Sequence, residues 1–223
     1  MQVHLPPILL SLVLSVGVPG SARAAGDGSQ SSSRTITTKV GEPHFEASLP
    51  SGIPLRLYVR SGDIRVVGSG DGKISVDISV KNAHKIDDVK HRLDILDRSA
   101  EFHLSGGPRN DVQITIYLPK NCDLYLRVPA GDVSVEGISG NKDIELHAGD
   151  LSIHVGNPDE YSHVDASVNA GDVEASPFGE SHSGLFRSFK KFGSGKYKLH
   201  AHVGAGDLTL LLLRLADRSK PRC

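Results

Sequence analysis

The 223-residue chain has no tryptophan, one methionine and two cysteines, and aromatic residues make up only 5% of it. Its core must therefore be built from Val, Ile, Leu and Ala, and few flat rings remain to stack on sugars or bases. Charge of one sign is lacking too: 25 Lys and Arg stand against 26 Asp and Glu, a formal net charge of -1. No basic block marks a nucleic-acid footprint, so no nucleic-acid partner is expected. Cys122 and Cys223 belong to no C-x-x-C pair, which removes support for a cysteine zinc site or thioredoxin-like chemistry. Two alternatives stand for them: a disulfide closing a long loop, worth about 5 kcal/mol in the loop-entropy treatment, or two unpaired thiols. G-x-S-x-G, H-E-x-x-H and P-loop patterns are absent, and Gly204-Ala205-Gly206 lacks the continuation of a dinucleotide fingerprint. The sequence thus points to no catalytic residue, no resident metal and no cofactor, and to a protein that is not an enzyme.

Also missing is an apolar run of the ~20 residues that a membrane-spanning helix needs. The apolar stretch 5–18 is shorter, carries Pro6, Pro7 and Gly17, and is followed by Ala22-Arg23-Ala24, an A-x-A-like cleavage signal. Residues 1–24 are read as a secretory signal peptide, with a retained membrane anchor as the competing reading. Residues 25–40, rich in Ser and Gly, are expected to be a disordered linker, and 218–223 a tail.

What the sequence does have is a repeated phrase. Small-Gly-Asp-apolar recurs at Ser61-Gly62-Asp63-Ile64, Ala130-Gly131-Asp132-Val133, Ala148-Gly149-Asp150-Leu151, Ala170-Gly171-Asp172-Val173 and Ala205-Gly206-Asp207-Leu208. Residues ahead of each phrase align as well, with apolar side chains two apart. The columns read Leu57/Leu126/Ile144/Ala166/Ala201, Val59/Val128/Leu146/Val168/Val203 and Ser61/Ala130/Ala148/Ala170/Ala205. A fixed phrase preceded by period-two alternation predicts stacked strand-corner-strand rungs with a continuous apolar core. At the corner Gly supplies a positive φ, while the Asp carboxylate accepts from following backbone amides. A charged residue in an inward column is expected to break the stack. Aligned carboxylates would repel unless tied to amides or to a shared cation. The amide account is preferred to a calcium site, because the short loops lack calcium's usual oxygen clusters.

The chain is divided into a strand-rich part over 41–118 and regular solenoid repeats over 119–217, the latter interrupted by an insertion at 176–195. One stretch, 83–96, has helical spacing, but its dense charge leaves a charged strand or loop equally open.

The repeats Val128-Pro129-Ala130-Gly131-Asp132-Val133-Ser134-Val135 and Ala148-Gly149-Asp150-Leu151-Ser152-Ile153 resemble the bacterial putative-adhesin family of exported β-strand repeat proteins. The resemblance covers about 55–215. It implies an all-β fold, a right-handed parallel β-helix preceded by a strand-rich part. It implies binding at the cell envelope and carries over no catalytic residue.

Three surface features are candidates for function. The insertion mixes Phe186, Phe189 and Phe192 with Arg187, Lys190 and Lys191, a combination suited to a glycan, an envelope component or a protein, or else to capping the solenoid. Asp143, Asp165 and His200 occupy equivalent outward positions, with His202 two further on; the choice lies between metal or acid-base chemistry and an ordinary polar face with a His200–Asp165 pair. Arg127 and Glu145 are expected to form a surface pair. The apolar stretch from Leu208 to Leu215 suggests a homo-oligomer joined through a C-terminal edge strand. The leading expectation is an exported, non-enzymatic β-solenoid; the alternatives are a carbohydrate-active β-helix enzyme and an oligomeric envelope scaffold.

Overall fold

The structure is a computed structural model that describes residues 33–80, 86–107, 111–182 and 185–212, with the side chains of 181 and 182 left out. The signal segment 1–24, the tail 218–223 and Cys223 lie outside these residues.

Alternation of apolar and polar residues produces strands throughout. In chain order they are β1 (Arg34–Thr37), β2 (His44–Ser48), β3 (Leu55–Val59), β4 (Asp63–Ser69), β5 (Lys73–Val80) and β6 (Lys90–Ile95). There follow β7 (Ala100–Ser105), β8 (Val112–Pro119), β9 (Leu124–Ala130), β10 (Val133–Glu136), β11 (Lys142–Ala148) and β12 (Leu151–His154). The last are β13 (Tyr161–Ala170), β14 (Val173–Ala175), β15 (Glu180–His182), β16 (Leu185–Phe192), β17 (Tyr197–Ala205) and β18 (Leu208–Leu211). The charged stretch resolves as strand over Lys90–Ile95. Arg34–Thr37, inside the segment expected to be a disordered linker, pairs with β6 instead.

Two nine-stranded sheets enclose one core. The first runs β1-β6-β7-β3-β9-β11-β17-β13-β16, the second β2-β5-β8-β4-β10-β12-β18-β14-β15. Each Gly-Asp corner carries the chain from a strand of the first sheet to a strand of the second. The paired strands β7/β8, β3/β4, β9/β10, β11/β12, β17/β18 and β13/β14 stack in parallel in that order. Antiparallel strands close both ends, β6, β1, β5 and β2 at one and β16 and β15 at the other. The architecture is all-β and β-helix-like, with mixed rather than purely parallel sheets.

The stacking order corrects the order read along the chain. Column by column, Ile144 faces Ala201 and Ala201 faces Ala166, so the last coil lies between the fourth and the fifth. The cause is the 176–195 insertion. It folds back antiparallel against β13 and β14, occupies their outer edges, and leaves their inner edges to β17 and β18. Consequently β18 is an interior strand with Leu208 and Leu210 buried, not an edge open to a second copy. Leu213 to Leu215 lie outside the described residues.

The Val59/Val128/Leu146/Val168/Val203 column is buried along its whole length. The small-residue column behaves differently: Ala130, Ala148 and Ala170 are half-buried and Ala205 is exposed, because they stand at the corner rather than over the core. The corner glycines have positive φ, +122° at Gly131 and +124° at Gly149. A Cβ on Gly149 would also lie 2.7 Å from the Gly131 carbonyl carbon, so the corners touch backbone to backbone.

Three corner aspartates reach across to the neighbouring rung. Asp132 Oδ1 accepts the Asp150 amide at 3.3 Å, Asp150 Oδ1 the Asp207 amide at 2.9 Å, and Asp207 Oδ1 the Asp172 amide at 2.9 Å. Each carboxylate thereby clips the next rung to its own, which answers the repulsion problem with amides. Asp150→Ala is expected to cost about 1 kcal/mol, and Asp150→Asn much less because its amide oxygen still accepts. Thermal melts of both variants check this.

One inward column departs from expectation. Leu55, Leu124, Lys142, Leu199 and Val164 share a register, and Lys142, at 2% exposure, is buried among them without breaking the stack. Its ammonium donates to the Tyr161 hydroxyl at 2.9 Å and to the Gly140 carbonyl at 3.3 Å. It also lies 5.2 Å from the centre of the Tyr161 ring. A buried cation is tolerated where partners take up its donors.

Candidate binding surface

The outer face of the first sheet carries the chemistry, because parallel stacking converts alternate residues into rows across the strands. One row reads Glu101, Arg56, Tyr125, Asp143, His200, Asp165 and Lys190. The next reads His103, Tyr58, Arg127, Glu145, His202 and Ser167. Flat groups stack along these rows: Tyr58 on His103 with centroids 4.7 Å apart, and the Arg127 guanidinium 3.5 Å from the centre of the Tyr125 ring. A shallow groove of about 540 Å³ runs over Tyr58, His103, Arg127, Glu145, His147 and His202.

Arg127 forms the expected pair with Glu145 at 2.9 Å and adds a second with Asp143 at 3.1 Å. His200 faces Asp165 across the strands, but its ring nitrogen Nδ1 is 3.1 Å from Asp143, while Asp165 binds Lys190 at 3.0 Å. The expected His200–Asp165 pair is therefore replaced by two others, since β17 sits between β11 and β13 and offers His200 a carboxylate on each side. Asp143, Glu145 and His200 bring donor atoms within 4.8 Å of one another, close enough to share a metal ion. The Arg127 guanidinium already bridges both carboxylates, so a metal would have to displace it. His202 bonds Ser167 Oγ at 2.9 Å through Nδ1.

The insertion residues separate into two groups. Phe189 is 5% exposed and stacks on Phe178 at 5.6 Å, closing the end of the core. Phe186 and Phe192 are 79% and 76% exposed, and Leu185 66%. Arg187, Lys190 and Lys191 are exposed beside them on the edge strand β16. Phe192 packs on His163 at 4.7 Å, and Lys191 lies 5.0 Å from the centre of the Phe178 ring. Phe189 thus packs into the end of the core while Leu185, Phe186 and Phe192 of the same strand stay exposed. Tyr58, His103, Tyr125 and Arg56 also belong to this face, and their only signal in the sequence is their outward phase.

A second cluster lies inside the coil. Burial pushes the Lys142 ammonium down to about 8 and the buried Cys122 thiol up to about 11, and raises the Tyr161 hydroxyl for the same reason. A protonated thiol at neutral pH is a poor nucleophile, so Cys122 belongs to packing.

The sequence model of the Toastrack DUF4097 family matches residues 54–157, which hold β3 to β12. No curated protein matches the chain. A solved structure described as a putative cell adhesion protein, from Clostridium sporogenes ATCC 15579, superposes with a TM-score of 0.47 at 10% identity. That match covers 81% of this chain and 99% of the other. A putative adhesin from Bacteroides fragilis NCTC 9343 gives a TM-score of 0.29 at 13% identity, covering 80% and 97%. Over residues 54–157, just under half of the chain, the sequence matches the Toastrack DUF4097 family.

Proposed function

We propose that the chain is an exported, non-enzymatic binding module of the cell envelope, its paired strands wound as a right-handed parallel β-helix. The observation that carries this reading is the exposed aromatic and basic edge of β16: Leu185, Phe186 and Phe192 beside Arg187, Lys190 and Lys191. Exposed rings on an ordered strand lose little entropy on contact, and they are anchored by a neighbour, Phe189, that is itself buried. The apolar stretch within 1–24 and its cleavage-like signal support export. A non-enzymatic role is supported by the state of the carboxylates. Asp143 and Glu145 are half-exposed or exposed, and both are already ion-paired with Arg127.

The test is a binding screen of the full chain against glycans and envelope fragments, run beside a polysaccharide-degradation assay. Phe186→Ala and Phe192→Ala are expected to lower binding at an unchanged melting temperature. Phe189→Ala should instead lose about 3 kcal/mol of stability, since it opens the end of the core. Release of reducing ends from a polysaccharide would overturn the non-enzymatic reading.

A further inference from the structure

Beside the β16 edge, the rim of the first sheet formed by the starts of its parallel strands carries a second concentration of cationic and flat groups. A groove of about 540 Å³ there is lined by Arg56, Tyr125, His163, Lys196, Lys198 and His200, with Asp123, Asn141 and Asp143 among its walls. The groove runs across the strands. Arg56 and Tyr125 are register partners at one end of it, and His163 pairs with both Lys198 and Phe192 at the other. From β3 to β16 the strand order is β3-β9-β11-β17-β13-β16, a span of roughly 24 Å at the usual spacing between strands.

Three acidic groups bordering this track are bound within the protein, while the exposed Glu160 stands near Lys196. Asp123 accepts the Asn141 amide at 2.8 Å, Asp143 is held by Arg127 and His200, and Asp165 by Lys190. Asn141 in turn accepts the Lys198 amide at 2.8 Å, fixing the backbone from which the Lys198 side chain projects. Lys196 and Lys198 are exposed, and Arg56, ion-paired with Glu101 at 3.8 Å, keeps half of its side chain exposed. The stretch 185–198 contains five Lys and Arg and no Asp or Glu. Flat surfaces alternate with the charges: Tyr125 with Arg127 stacked on it, Tyr197 with the Lys196 ammonium 4.5 Å from its ring centre, and the exposed Phe192 on His163.

We propose that this rim binds a linear anionic glycopolymer laid across the strands. Its carboxylates or phosphodiesters meet Arg56, Lys196 and Lys198, and a sugar ring rests on the exposed Phe192. The proposal deepens the binding-module reading and rests on it, naming the ligand class and extending the site beyond β16. A groove with Arg56 at one end and Lys196 and Lys198 at the other suits a ligand that carries negative charge at more than one point along its length.

The experiment measures retention and affinity of the full chain on polygalacturonate, a uronate polymer, and on a glycerol-phosphate teichoic acid, a phosphodiester polymer. Neutral dextran and vesicles containing phosphatidylglycerol run alongside. Binding to at least one soluble polyanion is expected, falling steeply between 50 and 300 mM salt as screening predicts, with dextran not retained; whichever polymer binds identifies the source of the anion. The double variant K196E/K198E is expected to bind at least tenfold more weakly with its melting temperature unchanged. Absence of binding to both polyanions, retention on the vesicles alone, or full affinity in K196E/K198E would overturn the track. If envelope fragments are still captured and Phe186→Ala alone abolishes the capture, the track falls while the β16 contact stands.

Discussion

Gly149→Ala is expected to lower the melting temperature of this protein by about 10 °C. The residue sits at φ +124°, a region L-residues enter at a cost of about 1–3 kcal/mol. A Cβ built there also meets the Gly131 carbonyl group, 2.7 Å from its carbon and closer still to its oxygen. Backbone cannot swing aside as a flexible side chain would, so the two corners must part. That strains the bonds joining them, from the Gly131 amide to Ala148 and from the Val133 amide to Asp150, at 2.9 and 2.8 Å. The two costs sum to about 4 kcal/mol, and a domain of this size loses about 2–4 °C per kcal/mol. The arrangement recurs along the stack, with Gly206 against Gly149 and Gly171 against Gly206, so each site should respond alike. Gly52→Ala separates the two causes. At Gly52 φ is +74° but nothing lies within 4 Å, so only the smaller conformational cost is expected. Thermal unfolding of the two variants decides the matter: equal small losses would show that the corners do not pack as described.

The second large effect concerns Lys142. Lys142→Met is expected to stabilise the fold by about 2–3 kcal/mol at pH 7, and the advantage should fade as the pH is raised toward 10. In the folded chain the ammonium has a pKa of about 8, against 10.5 for an ordinary lysine, mainly because burial penalises the charge. Below pH 8 both folded and unfolded chains hold the proton, and the folded state bears the full cost, about 1.4 kcal/mol for every tenfold loss of proton affinity. Between pH 8 and 10.5 the unfolded chain binds more protons than the folded one, so stability rises with pH across that window. Above pH 9 the Cys122 thiol acts in the opposite sense, because its folded pKa of about 11 exceeds the ordinary 9.0 and stability falls as the unfolded thiolate forms. Tyr161, raised above 10, adds to that fall. Readings at pH 7 and 8 lie below the ordinary thiol value of 9.0, so the comparison of wild type with Lys142→Met is least affected there by Cys122, which itself interacts electrostatically with Lys142. The Tyr161 hydroxyl loses a donor in the variant and keeps its own proton to donate, which trims the gain. Denaturant titrations at pH 7, 8, 9 and 10 measure the difference. A constant difference, or a destabilised variant at pH 7, would mean that the ammonium is not buried at this cost.

Much of the architecture was legible because the Gly-Asp phrase combines two independent signals. A positive-φ residue fixes a corner, and period-two apolar residues on either side fix which face turns inward. Together they yielded the buried Val59, Val128, Leu146, Val168 and Val203 column and the amide-bound aspartates. Lys142 was hidden by the same rule, since period two places it inward but gives no hint of the Tyr161 hydroxyl that receives it. The division of the 176–195 insertion was half legible: its composition suggested both a cap and a contact, and only packing buried Phe189 and left Phe186 and Phe192 exposed.

By itself the sequence determined the corners, the inward faces and the parallel stacking of like on like, since these depend on local φ preferences and on alternation within a few residues. The tertiary structure alone decided the neighbours. Similar phrases offer similar pairing energies, so nothing local distinguishes Ala201 beside Ile144 from Ala166 beside Ile144. The choice was made by which strand edges were already covered. With β15 and β16 folded onto the outer edges of β13 and β14, the inner edges were left open, and β17 with β18 filled them. That placement set His200 between Asp143 and Asp165 and brought Lys198 beside His163.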